Sequence, residues 1–343
     1  MDDPVSMDLS DAPLDPRAIR VLITGFGPFR NFNENPSWLA IRPLHNTVLW
    51  TQPQPVMHDM EDEYAMVTDE KVYVEMTPQP IHITCVQIPM TYEGVLATVP
   101  GLHAHPPVLP PPPDPTMVVF PPPVKGYDFV LHVALAGRGP LRFERLAHKH
   151  GYAMKDTQRQ HAPALPKEGP IATPEASEIE RMEMHLQGIM SVPSVEGRHH
   201  EGPEIPPNRG FGKGYENFPE EIHTDIDVPK LVHYLKEIEV ESVEPDPEDE
   251  PGPEDAIKRT YTSMDAGHYI CDFAFYCSLA EAKRMSMKPE KSKVQEVILR
   301  GSPAKGTPVL AMHVPPINQP FATKHVTDAI RHAVVWVCSR MHR

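Results

Sequence analysis

The chain has 343 residues, enough for one large domain or two ordinary ones. Its 32 Lys and Arg against 47 Asp and Glu leave a net charge of −15 with His neutral, which argues against nucleic acid or an anionic membrane as partner, because both repel an acidic surface. No run approaches the roughly 20 apolar residues that span a bilayer, and the acidic N-terminal stretch MDDPVSMDLSDAPLDP lacks the apolar segment of a secretory signal.

In chain order, strands are predicted at Ile19–Thr24, Val72–Met76, Ile81–Ile88, Phe129–Ala136 and Val309–Val314, all β-branched, apolar runs bounded by Pro, Gly or polar clusters. Several are continuous rather than alternating, as in strands covered on both faces. Helices are predicted between them at Pro36–Leu44, Tyr92–Val99, Val228–Ile238, Ile270–Ala282 and Thr323–Arg340. The last carries an apolar stripe through Val326, Ala329, Ile330, Ala333 and Val337. Ile270–Ala282 is apolar almost all round, the pattern of a helix inside a domain. This alternation points to an α/β fold, a three-layer α/β/α sandwich on a mostly parallel sheet. After an acidic tail over 1–17, residues 18–343 read as one catalytic domain. The 43 prolines concentrate in segments near 100–126, 156–217 and 241–258, which are expected to be insertions on that core. The second of these has a helical island at Ser177–Gln187.

The stretch TGFGPFRNFNENPSW, Thr24 to Trp38, first suggests a phosphate loop. Its own chemistry argues against that. Pro28 removes a backbone N–H, and no Gly-Lys-Ser/Thr or third glycine opens the helix. Asn35 suits an N-cap and Pro36 the first helical position. Phe26, Phe29 and Phe32 follow the C-terminal end of a strand, where open α/β sheets bind ligands, although rings there more often plug a loop onto the core. The four cysteines, Cys85, Cys271, Cys277 and Cys338, show no C-x-x-C and no paired spacing, which fits a reduced, cytoplasmic setting. The His103/His105 and His199/His200 pairs lack the spacing of a ligand set, so no metal or other cofactor is expected.

Four motifs in this order resemble the pyroglutamyl-peptidase I family of cysteine peptidases, in particular its fungal, insertion-bearing members. They are VLITGFGPF with NPSW, AGRGPLRFERLA, AGHYICD and AMHVP. The resemblance implies a catalytic trio of Glu144, Cys271 and His313, with Arg138, Arg145 and Ala147 completing the setting of the glutamate. It also implies a lactam pocket formed by Phe26, Phe29, Tyr269 and Ile270, with Asn35 shaping it. Ala136, Asp272 and Ala311-Met312 depart from the commoner residues. Met154-Lys155 stands near where bacterial members carry an assisting arginine. The implied substrate is a peptide with an N-terminal pyroglutamyl residue, and a homo-oligomer is compatible with the composition. Two alternatives stay open. One is a weakly catalytic relative that binds partners through its insertions, for example PxxP-reading modules. The other is a cysteine hydrolase of another small cyclic amide.

Overall fold

A computed structural model describes residues 7–8, 14–29, 31–52, 77–137, 139–165, 208–238, 253–287 and 306–341. The predicted strand at Val72–Met76, the helical island at Ser177–Gln187, Arg138, His199 and His200 lie outside the described residues. The strands, in chain order, are β1 (Met7–Asp8), β2 (Ile19–Phe26), β3 (Thr47–Trp50), β4 (Pro80–Ile88), β5 (Phe129–Leu135), β6 (Leu141–Glu144), β7 (Leu146–His148), β8 (Glu221–His223), β9 (Thr260–Ser263) and β10 (Val309–Val314). The helices are α1 (Pro36–Ile41), α2 (Tyr92–Leu102), α3 (Val228–Glu237), α4 (Pro253–Lys258), α5 (Ile270–Met287) and α6 (Thr323–Ser339).

The four apolar runs β4, β2, β5 and β10 lie side by side and parallel in the middle of an eight-stranded sheet ordered β1-β3-β4-β2-β5-β10-β6-β9. Each needs cover on both faces and gets it. Ile19, Val21 and Ile23 of β2, Phe129, Leu131 and Val133 of β5, and Leu310, Met312 and Val314 of β10 pack against α1, α3, α4 and α6. The alternate residues, among them Leu22, Phe26, Val130, Ala134, Val309 and Ala311, face α2 and α5. The predicted three-layer α/β fold is therefore the observed one. Antiparallel pairs occur toward the edges, where β3 lies against β4 and β6 against β10.

Some residues within the three Pro-rich segments belong to the core. Residues 253–258 form α4, whose Ala256 and Ile257 are buried against the sheet, because an apolar pair at the end of the acidic run has a core face to reach. Phe211 and Tyr215, placed by composition in the second insertion, are core residues, and Phe211 stacks on Phe273 with ring centroids 4.0 Å apart. The Pro-rich segment after α2 is anchored by Val108 N–H on the Gly101 carbonyl at 2.8 Å, with Leu109 and Met117 packed on opposite core clusters.

The loop after β2 is fixed by Asn35. Its Oδ1 accepts the Ser37 N–H at 3.1 Å and the Ser37 hydroxyl at 2.9 Å, so it caps α1. Its Nδ2 donates to the Gly27 carbonyl at 3.1 Å. Gly25 lets α1 approach closely, since a Cβ there would lie 3.0 Å from the Trp38 Cα and from Ile41 Cδ1. Asn35→Ala removes the cap and leaves the fully buried Ser37 and Gly27 groups short of a partner. It should lower unfolding free energy by about 2 kcal/mol or more in urea titrations. A loss below about 0.5 kcal/mol would mean that the cap does not hold the loop.

Candidate active site

β6 runs antiparallel to β10 with Glu144 opposite Ala311 and Arg142 opposite His313. Glu144 is thus the diagonal neighbour of His313 on one face, within reach of a long side chain. Phe143, between them, points into the cluster on the other face. Glu144 Oε1 and His313 Nδ1 are 2.7 Å apart, and both side chains are buried. The helix α5 covers this face, and Cys271 in its first turn acts on the imidazole together with Glu144. With Nδ1 held by Glu144, Nε2 is the nitrogen left for the sulfur. Burial pulls the His313 imidazolium down, but the bonds to Cys271 and Glu144 outweigh it and hold the pKa up, at about 10.

The other thiols sit differently. Cys85 and Cys277 are fully enclosed, and burial pushes both pKa values up, Cys277 to about 12. Cys277 lies against the Tyr215 hydroxyl at 3.3 Å, on the side of α5 away from His313. Cys271 is half-buried and starts a helix, where backbone N–H groups of the first turn have no carbonyl four residues back. Those N–H groups and the helix dipole favour negative charge at this position.

The residues assigned to a lactam pocket are all buried. Phe26 and Ile270 are fully buried in the cluster under α5. Phe29 and Tyr269 are buried as well, their rings tilted with centroids 6.3 Å apart. Asn35 has both side-chain atoms bonded to the protein, so its visible role is to hold the loop. Met154 and Lys155, near the position of the implied arginine, present backbone carbonyls to the hydroxyls of Tyr92 (2.9 Å) and Tyr269 (3.2 Å). A shallow depression of about 490 Å³ lined by Gly139, Asn318, Gln319 and Pro320 lies on the loops following β5 and β10.

One group of residues was not found from sequence. Asp272, next to the cysteine, is fully buried. It accepts the His148 backbone N–H at 3.3 Å and the Tyr152 hydroxyl at 2.9 Å, and lies 3.2 Å from His148 Nδ1. The Tyr152 hydroxyl is also held against the His148 carbonyl. Burial raises the Asp272 carboxyl to about 6, although His148 and Tyr152 pull it down. Burial acts against the His148 cation, and Asp272 more than compensates, so that pKa is raised. The available signal was the pair of acidic and basic residues flanking the implied catalytic positions, 124 residues apart in the chain.

No protein-family model and no curated protein sequence matches the chain. Among solved structures it is similar to a mutant pyrrolidone carboxyl peptidase from the hyperthermophile Pyrococcus furiosus, at 14% identity and a TM-score of 0.47 over 94% of this chain and 99% of that one. It is also similar to the pyrrolidone carboxyl peptidase of Thermococcus litoralis, with 14% identity, a TM-score of 0.47 and 93% of each chain covered. The enzyme from Thermus thermophilus gives 16%, 0.45, and 92% and 98%. At this level of similarity the chemistry of the site has to be read from its own geometry.

The raised His313 pKa has a consequence for stability. The folded value of about 10 exceeds the unfolded value of about 6.5, so this interaction stabilises fully below about pH 6.5 and is lost as pH rises through about 10. Glu144→Gln removes the carboxylate's share. The difference in unfolding free energy between wild type and Glu144→Gln should therefore be largest near pH 6 and shrink toward pH 10. A difference that grows over that range contradicts the assignment.

Proposed function

We propose that this chain is a cysteine exopeptidase that hydrolyses the N-terminal pyroglutamyl residue from peptides. The observation that carries this reading is the buried Glu144–His313 bond of 2.7 Å with Cys271 as the imidazole's second partner. That is the arrangement an activated thiol needs: a nucleophile, a base in contact with it, and a third group that orients and charge-balances the base.

In this reading the Cys271 sulfur attacks the carbonyl carbon of the pyroglutamyl residue, with its proton held on His313. The oxyanion is met by the Cys271 backbone N–H at the start of α5. His313 then protonates the leaving amine, the shortened peptide departs, and a thioester remains on Cys271. Water deprotonated by His313 attacks that thioester, which releases pyroglutamate and restores the thiol. Glu144 orients and charge-balances the imidazolium in both halves. Recognition of the flat lactam falls to the rings at the end of β2 and before the nucleophile, Phe26, Phe29 and Tyr269, with Ile270 beside them. A stacked ring suits a small planar group, and the lactam's N–H and carbonyl need polar partners that a proline ring cannot satisfy.

Purified, reduced protein should release the fluorophore from pyroglutamyl-aminomethylcoumarin and leave prolyl-aminomethylcoumarin untouched. Cys271→Ser should lower kcat/KM by about 10³-fold or more. Phe29→Ala should raise KM about tenfold with a smaller effect on kcat. Folded wild-type protein that is inert toward the pyroglutamyl substrate sinks the reading, and equal turnover of the prolyl compound removes the lactam specificity.

A further inference from the structure

Consecutive residues at the start of α5 are tied to one short stretch of chain, one through His313 and the other directly. Cys271 meets His313, which Glu144 holds; Asp272 meets His148, four residues beyond Glu144, in the strand β7. The second contact is double, because the main-chain N–H and the ring Nδ1 of His148 both reach the Asp272 carboxylate. A third contact comes from Tyr152, so Asp272 is held from β7 and from the loop after it. The other titratable groups facing the pair are His268, whose ring lies 4.3 Å from that of His148, and, at longer range, Asp265 and Glu221.

This arrangement bears on the nucleophile. A buried carboxylate without a counter-charge is strongly unfavourable. A negative charge one residue from a developing thiolate also opposes it. We propose that His148 is a positioning residue for the chemistry at Cys271: it neutralises the Asp272 carboxylate and clamps the first turn of α5, so that the sulfur faces His313. A shift of α5 along its axis breaks both His148 contacts at once, which ties the position of Cys271 to the same piece of chain that delivers Glu144. The proposal rests on the peptidase reading only in taking Cys271 as the reacting group.

The test is the alkylation rate of Cys271 by iodoacetamide from pH 5 to 9, followed on the full chain by intact mass and peptide mapping. It compares wild type, H148Q, D272N and D272N/H148Q. H148Q should slow alkylation by about tenfold or more between pH 8 and 9, where Asp272 ionises without its counter-charge, and move the profile to higher pH. D272N/H148Q should return both to within about threefold of D272N, since no charge then needs neutralising. An H148Q profile matching wild type, or a tenfold loss on adding H148Q to D272N, overturns the proposal. The second comparison decides the matter even if H148Q alone does not fold. Alkylation requires no peptide substrate, so a protein inert toward pyroglutamyl peptides yet showing this pattern would refute the peptidase reading and keep the role of His148.

Discussion

Everything in the site depends on how β6 is laid against β10. The antiparallel register sets Glu144 across from Ala311 and diagonal to His313, which makes a 2.7 Å carboxylate–imidazole bond feasible beneath α5. Side chains alternate faces along a strand, so a slip of one residue would send Glu144 to the far side and bring Phe143 to the imidazole. Ladder hydrogen bonds and the burial of Leu141 and Phe143 on the opposite cluster resist that slip. A buried imidazole–carboxylate pair is weak evidence of a folding role, because a well-packed apolar pair of the same volume can be as stable or more so. Its presence here is better explained by chemistry than by folding.

The second constraint is the helix α5. It is apolar almost all round, so it must be enclosed, and enclosure normally silences a thiol. Cys277 shows this, with its pKa pushed up and its sulfur against Tyr215. Cys271 is placed differently: it lies half-buried in the first turn, next to His313. The same helix start carries Asp272, which the fold can bury there only because His148 and Tyr152 meet it.

Much of the fold was legible in the sequence, and for a physical reason. β2, β4, β5 and β10 are covered on both faces, so they read as unbroken apolar runs, and their ends agree with prediction to within two residues. The short strands were not legible. Leu141–Glu144 alternates two apolar residues with Arg142 and Glu144, and it is a strand only because β10 and β9 lie beside it. Thr47–Trp50 and Thr260–Ser263 are likewise four-residue pieces defined by their neighbours. Composition misplaced Phe211, Tyr215, Ala256 and Ile257 because proline and acid content says nothing about the few apolar residues that reach the core. At the site, Glu144, Cys271 and His313 were marked by family-like motifs rather than by spacing. The network of Asp272, His148 and Tyr152 needed coordinates, because its members are brought together only by the fold.

The central claim is that Cys271 forms a covalent bond with the acyl group it removes. Rapid acid quench during turnover of a pyroglutamyl peptide, followed by mass analysis of the proteolysed protein, tests it directly. The account predicts a pyroglutamyl adduct on the peptide containing Cys271, released by hydroxylamine as a thioester should be. Turnover with Cys271 unmodified at every quench time, or an adduct on another residue, would contradict it.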